Sequence, residues 1–117
     1  MSEDAGEKVY LLTDETAPRV VEGFGLGVAT DRITVEGLPV RFMYREVPEF
    51  EGDSGWRFCS AIDEDEDYMA DPDNLGVFAV NTIAALDRTI VMFLLGPVGS
   101  AFEKPPGTER FVAVEEE

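Results

Sequence analysis

Five consecutive acids, Asp63 to Asp67, stand shortly after the one tryptophan in the stretch DSGWRFCSAIDEDEDYMADPDN, residues 53 to 74. Carboxylates at this density can do three things: cage a hard cation, share a proton in acid–base catalysis, or attract a basic partner. The calcium loop of helix-loop-helix sites is the sharpest test of the first. Counting from Asp63, the first, third and fifth positions are Asp63, Asp65 and Asp67, as that loop requires. The sixth position needs glycine for its sharp turn and is Tyr68. The twelfth needs a bidentate glutamate and is Asn74. The motif fails at both diagnostic places. Zinc and iron sites lack their ligands, since the chain has no histidine and one cysteine. No metal or other cofactor is expected.

Catalysis has equally few parts. Without histidine, proton transfer falls to a carboxylate or a lysine, and adjacent acids on one loop share solvent instead of having their pKa values pushed apart. Cys59 has no histidine to activate it and sits in an apolar strand pattern, so it reads as an inert buried thiol. The glycines of GFGLG, residues 23 to 27, miss the third spacing of a nucleotide cradle and follow an expected helix, where they serve as its stop. The sequence therefore reads as that of a non-enzymatic protein.

Charge narrows the partners. Nine basic residues against 25 acids leave a net charge of −16, which repels phosphate backbones and anionic membranes and attracts basic proteins. The same acidity can equally serve solubility alone. Trp56 has two readings, a core residue of a small fold or, if half exposed beside the acids, an interface anchor ringed by charge. Arg41, Arg45 and Arg57 are expected to pair with nearby acids at the surface.

The elements that must position these residues follow from the patterning. A chain of 117 residues points to a single domain, 1–117, with 1–6 and 115–117 frayed. A polar, acidic start and a lone cysteine read as cytoplasmic, and the apolar stretch TIVMFLLGPVG is too short to span a bilayer. Lys8 to Leu12 can form a short strand, and Thr13, Asp14, Thr16 and Pro18 punctuate a helix of about two turns that Gly23 closes. Gly27 to Val35 and Leu38 to Glu46 predict an antiparallel hairpin about Glu36-Gly37, with Val40, Phe42 and Tyr44 inward. WRFCSA, residues 56 to 61, is a third strand with Trp56 and Phe58 on one face. After Asp71-Pro72, the positions Leu75, Phe78, Ala79, Ile83 and Leu86 share one helical face, although Gly76 and Val77 weaken its first turn. Asp87 caps a second short helix through Leu94, and residues 98–104 and 110–114 close the chain as a hairpin. The order gives an α+β fold: a mainly antiparallel sheet of about five strands with two or three short helices.

At this point the stretches ATDRIT, FMYREVP, DSGWRF, DEDEDYMADPDNLG, VNTIA and GSAFE taken together resemble a family of small bacterial proteins. It was long catalogued as a domain of unknown function and is now grouped with predicted immunity proteins of polymorphic toxin systems, as the thirty-third such family. The resemblance covers about residues 20 to 103. It implies a domain that neutralises a cognate toxin by direct binding, and it carries over no catalytic or binding residues. On that reading, the partner-binding residues are Asp63, Glu64, Asp65, Glu66, Asp67 and Tyr68 with Trp56, and Asp53 at the rim. The partner expected is a protein, with a basic toxin domain such as a nuclease as the candidate. The alternative is a housekeeping or regulatory binding module with another ligand.

Overall fold

The computed structural model describes residues 8–60 and 66–114. The termini expected to fray lie outside the described residues. One six-stranded sheet carries the fold: β1 (Leu26–Thr30), β2 (Phe42–Arg45), β3 (Asp53–Cys59), β4 (Leu75–Ala79), β5 (Ala101–Glu103) and β6 (Val112–Ala113), in the order β4-β1-β3-β2-β5-β6. Only β1 and β3 run parallel; every other pair is antiparallel. The helices are α1 (Asp31–Thr34), α2 (Glu66–Ala70) and α3 (Val80–Leu86), with 3-10 turns at Pro72–Asn74 and Arg88–Phe93. The architecture is α+β, with one parallel pair inside the mainly antiparallel sheet that the sequence predicts.

The core lies on one face of this sheet. Ala29, Met43, Trp56 and Phe58 project from the strands against Ile33, Ile83, Ile90 and Leu94, all buried. All seven residues of β3 are buried, as befits the strand at the centre. Burial of this many large apolar side chains supplies the main driving force for folding.

The expected hairpin of residues 27–46 does not form. Asp31 to Thr34 coil into α1 instead, with Val35 N–H donating to Asp31 C=O at 2.8 Å and Leu38 N–H to Arg32 C=O at 2.9 Å. This turn buries Ile33 and lets β1 pair with β3 and β4 while β2 pairs with β3 and β5. An alternating pattern reports a strand's faces but not its neighbour, and the tertiary partners won. The inward face of β2 is also reversed: Met43 is buried in the core, while Phe42 and Tyr44 point to the other side of the sheet.

Neither the strand at Lys8–Leu12 nor the helix ending at Gly23 is present. Backbone groups there find partners across the chain. Asn81 Oδ1 accepts from Val20 N at 2.6 Å and Val21 N at 2.9 Å, and its Nδ2 donates to Pro18 C=O at 3.1 Å. Asp14 Oδ1 accepts from Ala79 N and from Thr82 Oγ1. A side-chain amide that satisfies these groups holds the segment extended along the start of α3.

The helix expected from Leu75 begins only at Val80, because Leu75 to Ala79 extend as β4 against β1. Gly76 and Val77, poor helix formers, are where the helical reading fails. Asp71 and Pro72 do cap a turn, but it is the 3-10 turn before β4. Asp87 caps the next 3-10 turn by accepting from Thr89 N, as expected, and the closing hairpin forms as β5 and β6.

Asp87 does more than cap. Its Oδ2 accepts from Val40 N at 2.9 Å and from the nearly buried Lys104 Nζ at 3.1 Å, and Lys104 lies over the Phe111 ring. Burial works against the charged carboxylate, but the donors from Thr89, Lys104 and Val40 outweigh it, and the Asp87 pKa is lowered. Asp87→Asn is expected to cost about 2–4 kcal/mol in urea unfolding, because it leaves Lys104 charged and uncompensated in the core. A loss near zero would show that Lys104 reaches water in the variant.

Candidate functional site

The sheet face opposite the core is only partly covered. Between β2, β3 and α2 lies an open groove of about 590 Å³, with Phe42, Tyr44, Cys59 and Met69 at its floor and sides. Alternation along the strands builds it: the residues of β2 and β3 between the core positions must point here. The Phe42 and Tyr44 rings lie 5.5 Å apart, and Cys59 Sγ is 3.8 Å from Met69 Sδ, which ties α2 to the sheet. Burial pushes the Tyr44 hydroxyl up to about 12, helped by Cys59 and Glu46, so it stays neutral over the physiological range.

One end of the groove is acidic and built with more precision. Arg57, 4% exposed, holds Asp53 through two parallel bonds, Nη1 to Oδ1 at 2.9 Å and Nη2 to Oδ2 at 2.8 Å. Its Nε donates to Glu46 Oε2 at 2.9 Å. Asp53 also accepts from the backbone N–H of Glu49 and of Gly55, each at 2.8 Å. Arg57 is the main reason the Asp53 carboxyl drops to about 2, with the two backbone donors assisting against the opposing effect of burial. Gly55 makes this geometry possible. Its φ is +93°, and a Cβ there would stand 2.1 Å from Glu46 O, so no other residue fits without moving backbone. The outcome is a rigid floor below Glu46 and Glu49, both of which line the groove.

The structure sorts the expected site residues. Trp56 is fully buried, stacked near Phe58, with its Nε1 donating to Leu94 C=O at 3.1 Å. Asp53 is buried on Arg57. Of its two readings Trp56 is therefore the core residue, and the Asp53 side chain is turned inward where a rim position was expected. Asp67 is exposed on α2, and Tyr68 is half-buried beneath the Arg32 guanidinium, 5.1 Å from its ring centre. Asp63, Glu64 and Asp65 lie outside the described residues, as does the side chain of Glu66, although Glu66 opens α2. Glu66 and Asp67, the last two acids of the run, belong to α2, and α2 lines the groove through Met69 and Ala70.

The arginines also differ from expectation. Arg41 donates to the carbonyls of Lys104, Pro105 and Thr108, and Arg45 to those of Ser54 and Gly96. Both are backbone clamps, and among the described residues Arg57 alone of the three pairs with carboxylates, with the buried Asp53 and with the partly exposed Glu46. Sequence reasoning missed Tyr44, Glu46, Glu49 and Met69 as groove residues. The signal was present in FMY, three apolar residues running through both faces of β2, which implies that both faces are at least partly covered.

The groove has aromatic and thioether side chains at its floor and sides and acids at one end. The family model of the Immunity protein Imm33 domain matches residues 28–115, from β1 past the end of β6. The chain belongs to this family. No match to it is found among curated proteins or among solved structures. The Imm33 domain here thus spans all six strands almost whole, and both the groove and the acid run fall inside the matched residues. Among its described residues no three His, Cys, Asp or Glu side chains gather as a metal site. No helix among them is long and apolar enough to cross a membrane.

Proposed function

We infer that this Imm33 domain neutralises a toxin by direct binding, presenting the open sheet face and its adjoining acid run to a basic surface of that toxin. Family membership carries the reading. The groove adds a physical fit: a basic side chain laid on the Phe42 and Tyr44 rings gains cation–π attraction, with Glu46 and Glu49 at the same opening. The net charge of −16 speeds the encounter with such a partner. No catalysis is needed. Asp53 and Glu46 are both engaged by Arg57, which holds Asp53 ionised and unsuited to act as a proton donor. The acid run contributes long-range attraction, and the groove contributes the short-range contact.

The test is protection of a cell expressing the cognate toxin, together with association kinetics at several salt concentrations. Exchanging Asp63, Glu64, Asp65, Glu66 and Asp67 for Asn and Gln is expected to slow association by about 10- to 100-fold at low salt and to flatten its salt dependence. Dissociation should change much less. An unaltered rate and slope would reduce the acid run to a solvated loop. Failure of the wild-type chain to protect or to bind at any salt would instead favour a housekeeping or regulatory ligand for the groove.

A further inference from the structure

Glu46 is held from two directions. Its backbone N–H donates to Gly55 C=O at 2.8 Å, and its Oε2 accepts from Arg57 Nε at 2.9 Å. Arg57 cannot follow it outward, because both terminal nitrogens of the guanidinium are bonded to Asp53. Yet the Glu46 side chain is 43% exposed, against 4% for Arg57. The carboxylate is thus anchored at one oxygen and still open to solvent. Phe42, Tyr44 and Glu46 follow one another at every second position, so the strand places all three on the groove face. Glu49 stands at the same opening, with its backbone N–H fixed by Asp53 Oδ2 at 2.8 Å. The Tyr44 hydroxyl responds to the charges of Glu46, Glu49 and Arg57 together, which puts the phenol among them.

These groups limit what can enter. Three carboxylates, Asp53, Glu46 and Glu49, stand against the single guanidinium of Arg57, so the acidic end keeps an excess of negative charge. An apolar side chain placed there would strip water from Glu46 and Glu49 and return no bond to them. A carboxylate would be repelled. A cation fits, and the two basic side chains differ. Lysine carries a compact, strongly hydrated ammonium that must shed water to lie on a ring. Arginine carries a planar, weakly hydrated guanidinium that stacks on an aromatic face and keeps its donors in the ring plane. It can lie on Phe42 and Tyr44, whose rings are 5.5 Å apart, and still donate at its edge to Glu46 and Glu49.

Taking the groove as the face that meets the toxin, we propose that it receives an arginine side chain of that partner in preference to a lysine, and that Glu46 determines the preference. The carboxylate is already in place before the partner arrives, so little ordering remains to be done on contact. An arginine seated on two rings and paired at its edge is the kind of anchor on which much of the energy of a protein interface falls. Long-range attraction by the acid run does not tell lysine from arginine, since it reads charge alone. The selection belongs to the groove.

The experiment titrates two blocked peptides of equal charge, acetyl-Gly-Arg-Gly-amide and acetyl-Gly-Lys-Gly-amide, into the whole isotopically labelled chain and follows its NMR shifts. The arginine peptide is expected to shift Tyr44, Cys59 and Met69 saturably, with a Kd on the order of a few mM, and the lysine peptide to bind about fivefold more weakly. Glu46→Gln should weaken arginine binding about fivefold and bring the two peptides within about twofold of each other. Glu49→Gln, at an exposed position, should weaken it about threefold, and it keeps the test standing if Glu46→Gln loosens Arg57 and the fold. Glu22→Gln removes the same charge from an exposed residue outside the groove and should leave both affinities within about twofold of wild type. Equal affinities for the two peptides, shifts scattered over the acidic surface, no saturation by about tenfold the expected Kd, or a folded Glu46→Gln chain that keeps the arginine preference each overturn the proposal. Arginine selectivity in a chain that fails to protect a cell from the toxin overturns neutralisation and leaves the arginine site standing. Protection without that selectivity does the reverse.

Discussion

Asp53→Asn is expected to lower the unfolding free energy by about 3–5 kcal/mol, a third or more of what a domain of this size possesses. The reason is the state in which it leaves Arg57. That guanidinium is 4% exposed and draws its principal compensation from the two oxygens of Asp53. Arginine does not deprotonate to escape burial, and Glu46 alone makes one bond to it. The amide of Asn also turns a donor toward a place where Glu49 N–H and Gly55 N–H both need acceptors. Urea unfolding at neutral pH measures the loss; less than about 1 kcal/mol would mean that water reaches Arg57.

The same pair sets a pH dependence. The Asp53 pKa falls from 3.8 to about 2 on folding, so the folded state favours the ionised form. The contribution is therefore complete above the unfolded value and is lost as pH falls through the folded one. The stability difference between wild type and Asp53→Asn should be constant above about pH 5 and shrink progressively toward about pH 2. Using the difference removes the contribution of Asp87, whose lowered pKa acts in the same direction in both proteins. A difference that grows on acidification would contradict the assignment.

Trp56→Ala is expected to cost about 3–5 kcal/mol, from lost apolar burial and the cavity left behind. It also strands the Leu94 carbonyl, which accepts from Nε1 and sits at the base of the 94–100 turn. Trp56→Phe refills most of the volume without the donor and should recover about half of the loss. The informative comparison is with binding. Measured per folded molecule, toxin affinity should be nearly unchanged in Trp56→Phe, because the ring lies on the core face of the sheet and the groove on the other. A large affinity loss with little loss of stability would return Trp56 to the interface.

Several features of this protein are set by the sequence with little help from the fold. Trp56 and Phe58 on one face of a strand, the Asp87 cap, the closing hairpin and the α+β class were all legible, because each depends on local periodicity or on a side chain reaching a backbone group a few residues away. The motifs from ATDRIT to GSAFE were equally enough to indicate the family. What the sequence could not reveal was pairing. β1 finds β3 and β4 rather than β2, and α1 forms where a hairpin strand was expected, since cross-strand contacts between distant segments outweigh local preference. Asn81 holding Val20 and Val21, and Arg57 holding Asp53 inside the molecule, depend on partners that no spacing reveals. The groove belongs to this second class. Phe42, Tyr44 and Glu46 come from β2 and its end and Met69 from α2, and only the packing of α2 against an otherwise open sheet face brings the two elements together.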